Sequence, residues 1–416
     1  MQEKSQNILI LAALWLLMFS SSSQFFIVVP ILSVIGEELN IAEGLRGTLI
    51  TSYAIALAVF ALIIGPISDK IGRRKILLWG SGVMTVSLAL HLLAFDYTSM
   101  LIVRALAGAA GGVLTGSCVA YIGDRFPKKR RGWANGIAMT GSAVGQIAGI
   151  PLGTLLADRY GFDAPFLFFC ATMAFTFVLV WLYVPQPNVV FSKDKLTIPS
   201  VLTDYLKMLR KPVYRSVAVG YMLMFLGMSS FVVYFPTWLE TLGATGNDIA
   251  LIFLVGGVAM VIAGPIAGRI SDKKGRKTII IVSSFALAVA MLATITAITD
   301  ISITTYTFFF FVMLVVSGRM VPFQALVSEV ASDHSRGKLM CLSISIGQLG
   351  MGLGSAVSGP LYASMGYGGN TLLGSLAVVS MALVVWKFIP ETNQMQGEPS
   401  VSNTENILET VVEPLP

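Results

Sequence analysis

Two arginines, Arg104 and Arg319, stand inside stretches that are otherwise apolar. Placed at helical rise, Arg104 lies about 9 Å and Arg319 about 24 Å from the start of its stretch. An ionised guanidinium in hydrocarbon is costly and normally serves a function. The 22 acids include none at comparable depth, so backbone carbonyls, water or a bound molecule must satisfy both cations. Arg319 is followed by Pro322, which has no N–H to donate and frees the carbonyl of Gly318. Snorkelling of either side chain to the nearer surface is the alternative. The chemistry in view is charge recognition or relay, not bond-making: no nucleophile stands with a base, and no glycine-rich phosphate loop opens a helix. Cys118, Cys170 and Cys341 sit apart in apolar stretches and read as packing residues; His91 and His334 are too far apart for a metal site.

The elements that carry these residues are membrane elements. The chain of 416 residues is 55% hydrophobic and 12% charged, about half the usual charged share. Twelve stretches reach the roughly 20 residues that a helical crossing needs: 8–35, 47–68, 76–95, 98–123, 132–157, 165–184, 216–239, 247–268, 278–298, 303–328, 337–363 and 368–388. Of 28 Lys and Arg, all but Arg46, Arg104, Arg159 and Arg319 fall on or at the edge of one side. That side is expected to be the cytoplasm, with both termini on it. The net charge of +6 reports this bias and implies no nucleic acid.

The sequence is also made twice. "GPISDKIGRRK" at 65–75 returns 203 residues later as "GRISDKKGRK" at 268–277. Asp124, Arg131, Gly145, Gln146, Gly161 and Pro185 are matched by Glu329, Arg336, Gly347, Gln348, Gly366 and Pro390 at offsets of 202 to 205. Six spans per copy is an even number, so the two copies enter the membrane the same way round. The expected division is an N-terminal bundle (1–184), a cytoplasmic connector (185–215), a C-terminal bundle (216–390) and a polar, disordered tail (391–416).

On these residues the chain resembles the major facilitator superfamily of transporters, built from such parallel halves. The family's loop signature falls on Gly65, Asp69, Gly72, Arg73 and Arg74, and again on Gly268, Asp272, Gly275, Arg276 and Lys277. The resemblance implies an all-α membrane protein of twelve helices in two six-helix bundles, in which this loop braces the cytoplasmic face; Asp124, Arg131, Glu329 and Arg336 are expected in the same charge network. "RALAGAAGG", with Arg104 and Gly108, resembles the fourth-span signature that the family links to proton coupling. "GSAVGQIAGIPLG" sets Gly141, Gly145, Gly149 and Gly153 four apart, with Pro151 between the last two. Glycines at this period form a flat face for close helix packing. The stretch is an imperfect copy of the family's exporter signature: the adjacent Gly-Pro and terminal Gly-Gly are Gly149-Ile150-Pro151 and Gly153-Thr154 here.

In the family, spans one, five, seven, ten and eleven line a central cavity. That assigns to it Gln24, Gln146, Tyr221, Met224, Met228, Gln324 and Gln348 beside Arg104 and Arg319, with Phe231 and Phe235 continuing the span-seven stripe. The implied activity is export of drug-like or sugar-like molecules by alternating access, without an enzymatic step or cofactor, coupled to protons. Arginine does not titrate usefully, so Asp69 or Asp124 would carry them. An anion importer, uniporter or exchanger using Arg104 and Arg319, a lipid or lysolipid translocator, and a scaffold that moves nothing remain open. The expected partners are a small-molecule substrate and the bilayer, for a monomer in a bacterial inner membrane.

Overall fold

A computed structural model describes residues 2–187, 198–331 and 335–390. Of the side chains, those of residues 2–5, Gly65, Pro66, Asp69, Lys128, Lys129 and 198–201 lie outside the description. The same holds for the tail 391–416, the connector segment 188–197 and His334.

Twelve long helices, numbered here in chain order, carry the fold: α1 Gln2–Phe26, α2 Thr48–Ile71, α3 Arg73–Leu90, α4 Tyr97–Arg125, α5 Lys128–Tyr160, α6 Asp163–Tyr183, α7 Pro212–Val232, α8 Gly246–Lys274, α9 Arg276–Ala297, α10 Ile303–Val330, α11 Arg336–Met365 and α12 Tyr367–Phe388. Among the described residues, eleven stretches are long and apolar enough to cross a membrane. The remaining helix, α5, trades apolar side chains for glycines and begins in four bases.

Spans one and seven, expected to be continuous, are broken. α1 stops at Phe26 and resumes as a short helix, Leu32–Glu38; α7 stops at Val232 and resumes as Phe235–Thr241. Pro30 and Pro236 lie at the two breaks, where the missing N–H removes a helical bond. The connector contains a helix, Ile198–Leu209, and α7 starts at Pro212, within the segment expected as connector.

The duplication governs the packing. In the first half α2 packs on α4, α1 on α5 and α3 on α6; in the second α8 packs on α10, α7 on α11 and α9 on α12. The spaced glycines make the α1–α5 contact. A Cβ on Gly145 would stand 2.6 Å from the Phe19 carbonyl oxygen, and one on Gly149 or Gly153 2.8 Å from Ser23 or Ile27. The turns 72 and 275 carry glycines at φ 102° and 90°, a region that a side chain strains.

Two crossings join the bundles: α2 on α11 and α5 on α8. Their close approaches lie in the half remote from the basic loops. Thr51 Oγ1 donates to the Gly352 carbonyl (2.7 Å), the Tyr234 hydroxyl donates to the Glu43 carbonyl (2.7 Å) and accepts from the Gly47 N–H (3.0 Å). Gly257 faces Ile147 and Gly246 faces Asp158. Toward the basic end Gly264 and Gly268 meet their own bundle, and among the described residues a Cβ on Gly132 or Gly136 would meet no other helix within 4 Å.

Candidate functional site

The depth of Arg104 is set where α4 begins. Asp96 caps the helix, accepting the Ser99 N–H at 2.8 Å, while the Ser99 hydroxyl meets the Asp96 N–H at 3.0 Å. These Ser99 groups hold the half-buried Asp96 carboxyl below its usual range. Two turns further in, Arg104 is fully buried. Its Nη1 donates to Gln24 Oε1 (3.4 Å) and its guanidinium carbon stands 4.6 Å from the centre of the Tyr53 ring. Gln24 Nε2 in turn donates to the Tyr53 hydroxyl at 2.7 Å. Among the described residues Arg104 Nε and Nη2 are buried without a hydrogen-bond partner. Cation–π attraction contributes about 0.5–2 kcal/mol, well short of the several kcal/mol that desolvating a cation costs. The arrangement therefore spends stability, as sites held for function do.

Tyr53 reaches this position because α4 is smooth where α2 crosses it. A Cβ on Gly108 would run into the Tyr53 carbonyl, and one on Gly111 into its hydroxyl. His91, buried at the end of α3, stacks on Phe166 with ring centres 4.2 Å apart and bonds the Ser87 carbonyl through Nδ1 (2.8 Å). Its Nε2 has no hydrogen-bond partner among the described residues.

The second half holds a different cluster. Arg319 is 1% exposed; its Nη1 lies 3.9 Å from the Met381 sulfur and its Nε has no partner. Tyr221 packs 5.1 Å from Phe323, with its hydroxyl buried and unpartnered, and Met224 is buried in the same cluster. Gln348 is half-buried with an unpartnered Oε1; Gln146 and Met228 are half-buried and Gln324 is exposed. Among the described residues no hydrogen bond or ion pair joins the Arg104 and Arg319 clusters. Gln24 is the amide that the fold brings to an arginine. Tyr53 and His91 were missed: one tyrosine among 12 in an apolar stretch carries no signal, although the Gly108–Gly111 pair marks the close crossing that seats it.

At the basic end the repeated loops act alike. Arg73 pairs with Asp124 (2.7 Å) and also bonds Ser68, while Arg276 pairs with Glu329 (2.5 Å) and Asp272 (3.1 Å). The next base holds the end of the bundle's last helix: Arg74 donates to the Trp181 carbonyl (2.7 Å), Lys277 to that of Ile389 (3.0 Å). Each loop thus ties four helices of its own bundle together. Arg131, expected in the ionic network, donates its Nε to the Phe126 carbonyl (2.9 Å), and Arg336 Nε donates to Ser328 (3.0 Å). Both cover a carbonyl left open where α4 or α10 ends.

The Major Facilitator Superfamily profile matches residues 14–355 and 217–409. The chain belongs to this superfamily. It is a multi-pass membrane protein of a transporter family, with relatives in bacteria. It is 25% identical over 389 residues to the uncharacterised MFS-type transporter YceJ of Bacillus subtilis (strain 168), covering 92% of this chain and 98% of that one. It is 29% identical over 289 residues to the multidrug resistance protein MdtG of Yersinia enterocolitica, covering 67% and 68%. The crystal structure of a D-xylose–proton symporter superposes with a TM-score of 0.73 at 20% identity, covering 93% and 98%. A bacterial homologue of the human lysosomal transporter Spinster, inward-facing and unoccupied, gives 0.70 at 15% identity, covering 92% and 95%. At these identities the structures speak for the fold alone.

Proposed function

We propose that this superfamily member exports small, partly apolar organic molecules by alternating access, with protons as the coupling ion. The observation that carries the reading is the Arg104–Gln24–Tyr53 cluster, a fully buried cation with two unpartnered N–H groups and no carboxylate. The aromatic and thioether groups of Tyr221, Phe323 and Met224 form a buried apolar cluster beside Arg319 in the other bundle. Export is favoured by the multidrug resistance protein among its relatives. With the basic loops in the cytoplasm, the bonded contacts between the bundles lie on the outer side, which supports reading this state as inward-facing. Asp124 is paired with Arg73, which makes it a poor proton carrier; the Asp69 side chain lies outside the described residues.

The test is uptake into inside-out vesicles holding the purified protein, over a panel of dyes, sugars, organic anions and lysolipids, with and without an imposed pH gradient. Gradient-driven accumulation of uncharged or cationic compounds supports the proposal. The setting of Arg319, with a sulfur and no carboxylate beside it, favours a second reading: an anion exchanger. Anion counterflow that ignores the pH gradient would replace the first reading with the second.

A further inference from the structure

The closed seam is held by hydrogen bonds to backbone, with one exception. Ser33, on the short helix Leu32–Glu38 of the first half, donates to Glu240 Oε1 at 2.8 Å, on the short helix Phe235–Thr241 of the second. Among the described residues this is the one carboxylate in a hydrogen bond between the bundles. It is half-buried, and the Ser33 hydroxyl is its hydrogen-bond donor. The elements around it supply little positive charge. Leu32–Glu38 contributes Glu37, which opposes ionisation; Glu43–Arg46 contributes Arg46, which favours it more weakly than Glu37 opposes it and whose Nε donates to the Ile41 carbonyl; α11 contributes the Tyr362 phenol. At the other crossing Asp248 is occupied by Thr245 and Tyr306, and Asp158 lies against Gly246.

We propose that Glu240 is a proton-binding latch whose protonation favours closure of the seam remote from the basic loops. When the bundles part at that end, water reaches the carboxylate and ionisation is unopposed. When they close, the carboxylate loses water and faces Glu37, against which stand one hydroxyl donor and the weaker pull of Arg46, so the neutral acid fits the closed state better. A group that binds its proton more tightly in one of two states pulls the equilibrium toward that state as pH falls. A single proton limits the effect to about tenfold in the closed-to-open ratio per pH unit. The latch does not require protons to be carried across, so it stands or falls independently of the coupling proposed above.

The experiment reads conformation without substrate. Full-length protein with Cys118, Cys170 and Cys341 replaced by Ala is spin-labelled at Leu45→Cys and Asn247→Cys, exposed positions on opposite sides of the seam. Their distance distribution is recorded from pH 5 to pH 9 in lipid nanodiscs. The short-distance population should grow on acidification. Glu240→Gln, a permanently neutral mimic, should stay closed at every pH, and Glu240→Asp should keep the pH dependence. Ser33→Ala removes the donor that favours the charged form, so its midpoint should move to higher pH. A wild-type distribution that ignores pH, a Glu240→Gln variant that still titrates, or one that stays open, each overturns the proposal. If Glu240→Gln does not fold, an unmoved midpoint in Ser33→Ala does so instead.

Discussion

Arg104 and Arg319 are both buried, but their neighbours differ, and so do the expected effects of replacing them. Arg104 is aimed by Gln24 and faced by Tyr53; lysine keeps the charge but not the planar donors. Arg104→Lys should therefore lower transport at least about tenfold, the rate equivalent of losing one charge-assisted contact. Its melting temperature should stay within a few degrees of wild type, because two of the N–H groups removed have no partner to lose. Vesicle uptake and thermal unfolding of the same preparation check both halves. Arg319→Gln should weaken substrate-induced thermal stabilisation, since a ligand that binds the native state raises its melting point; unchanged stabilisation across the panel would remove Arg319 from the binding surface.

At the scale of helices, glycines decide which pairs touch. A side chain at Gly145 must displace the α1 backbone at Phe19, and overpacking of that kind costs about 1–3 kcal/mol. A Cβ on Gly136, on the same helix, would meet no other helix within 4 Å among the described residues. Gly145→Val should lower the melting temperature, and Gly136→Ala should hold or raise it by up to the equivalent of about 1 kcal/mol, the helical advantage of alanine. The two substitutions in parallel melts separate packing from helix propensity. The loop clasps belong to this scale too. Arg73 and Asp124 are mostly buried within one bundle, so a double-mutant cycle should give a coupling of about 1–3 kcal/mol in unfolding, with the second bundle's Arg276–Glu329 pair contributing separately.

For the whole molecule the decisive fact is where the bundles meet. The crossings of α2 with α11 and α5 with α8 are close in the half away from the basic loops. Rocking of two bundles about these crossings would have to break the Thr51–Gly352 contact. In a cysteine-free background, the pair Thr51→Cys and Gly352→Cys should form a disulfide on oxidation and stop transport reversibly. Full activity after verified cross-linking would rule out movement at this seam.

Twelve crossings, the doubling of the chain, the matched clasps and the two embedded arginines were legible in the linear sequence, because hydrophobicity, period and charge are local or periodic properties. The partners of those arginines were not. Tyr53 and His91 look like any aromatic in an apolar helix until α2 is laid against α4 and the end of α3 is brought to the same depth. Glu240 reads as a helix-end acid until Ser33 arrives from the other bundle. The breaks at Phe26 and Val232, the confinement of each clasp to its own bundle and the closed end of the seam were likewise settled only in three dimensions. They depend on which surfaces meet across separations from 51 residues (Arg73–Asp124) to 301 (Thr51–Gly352), and helix packing, not the order of residues along the chain, decides that.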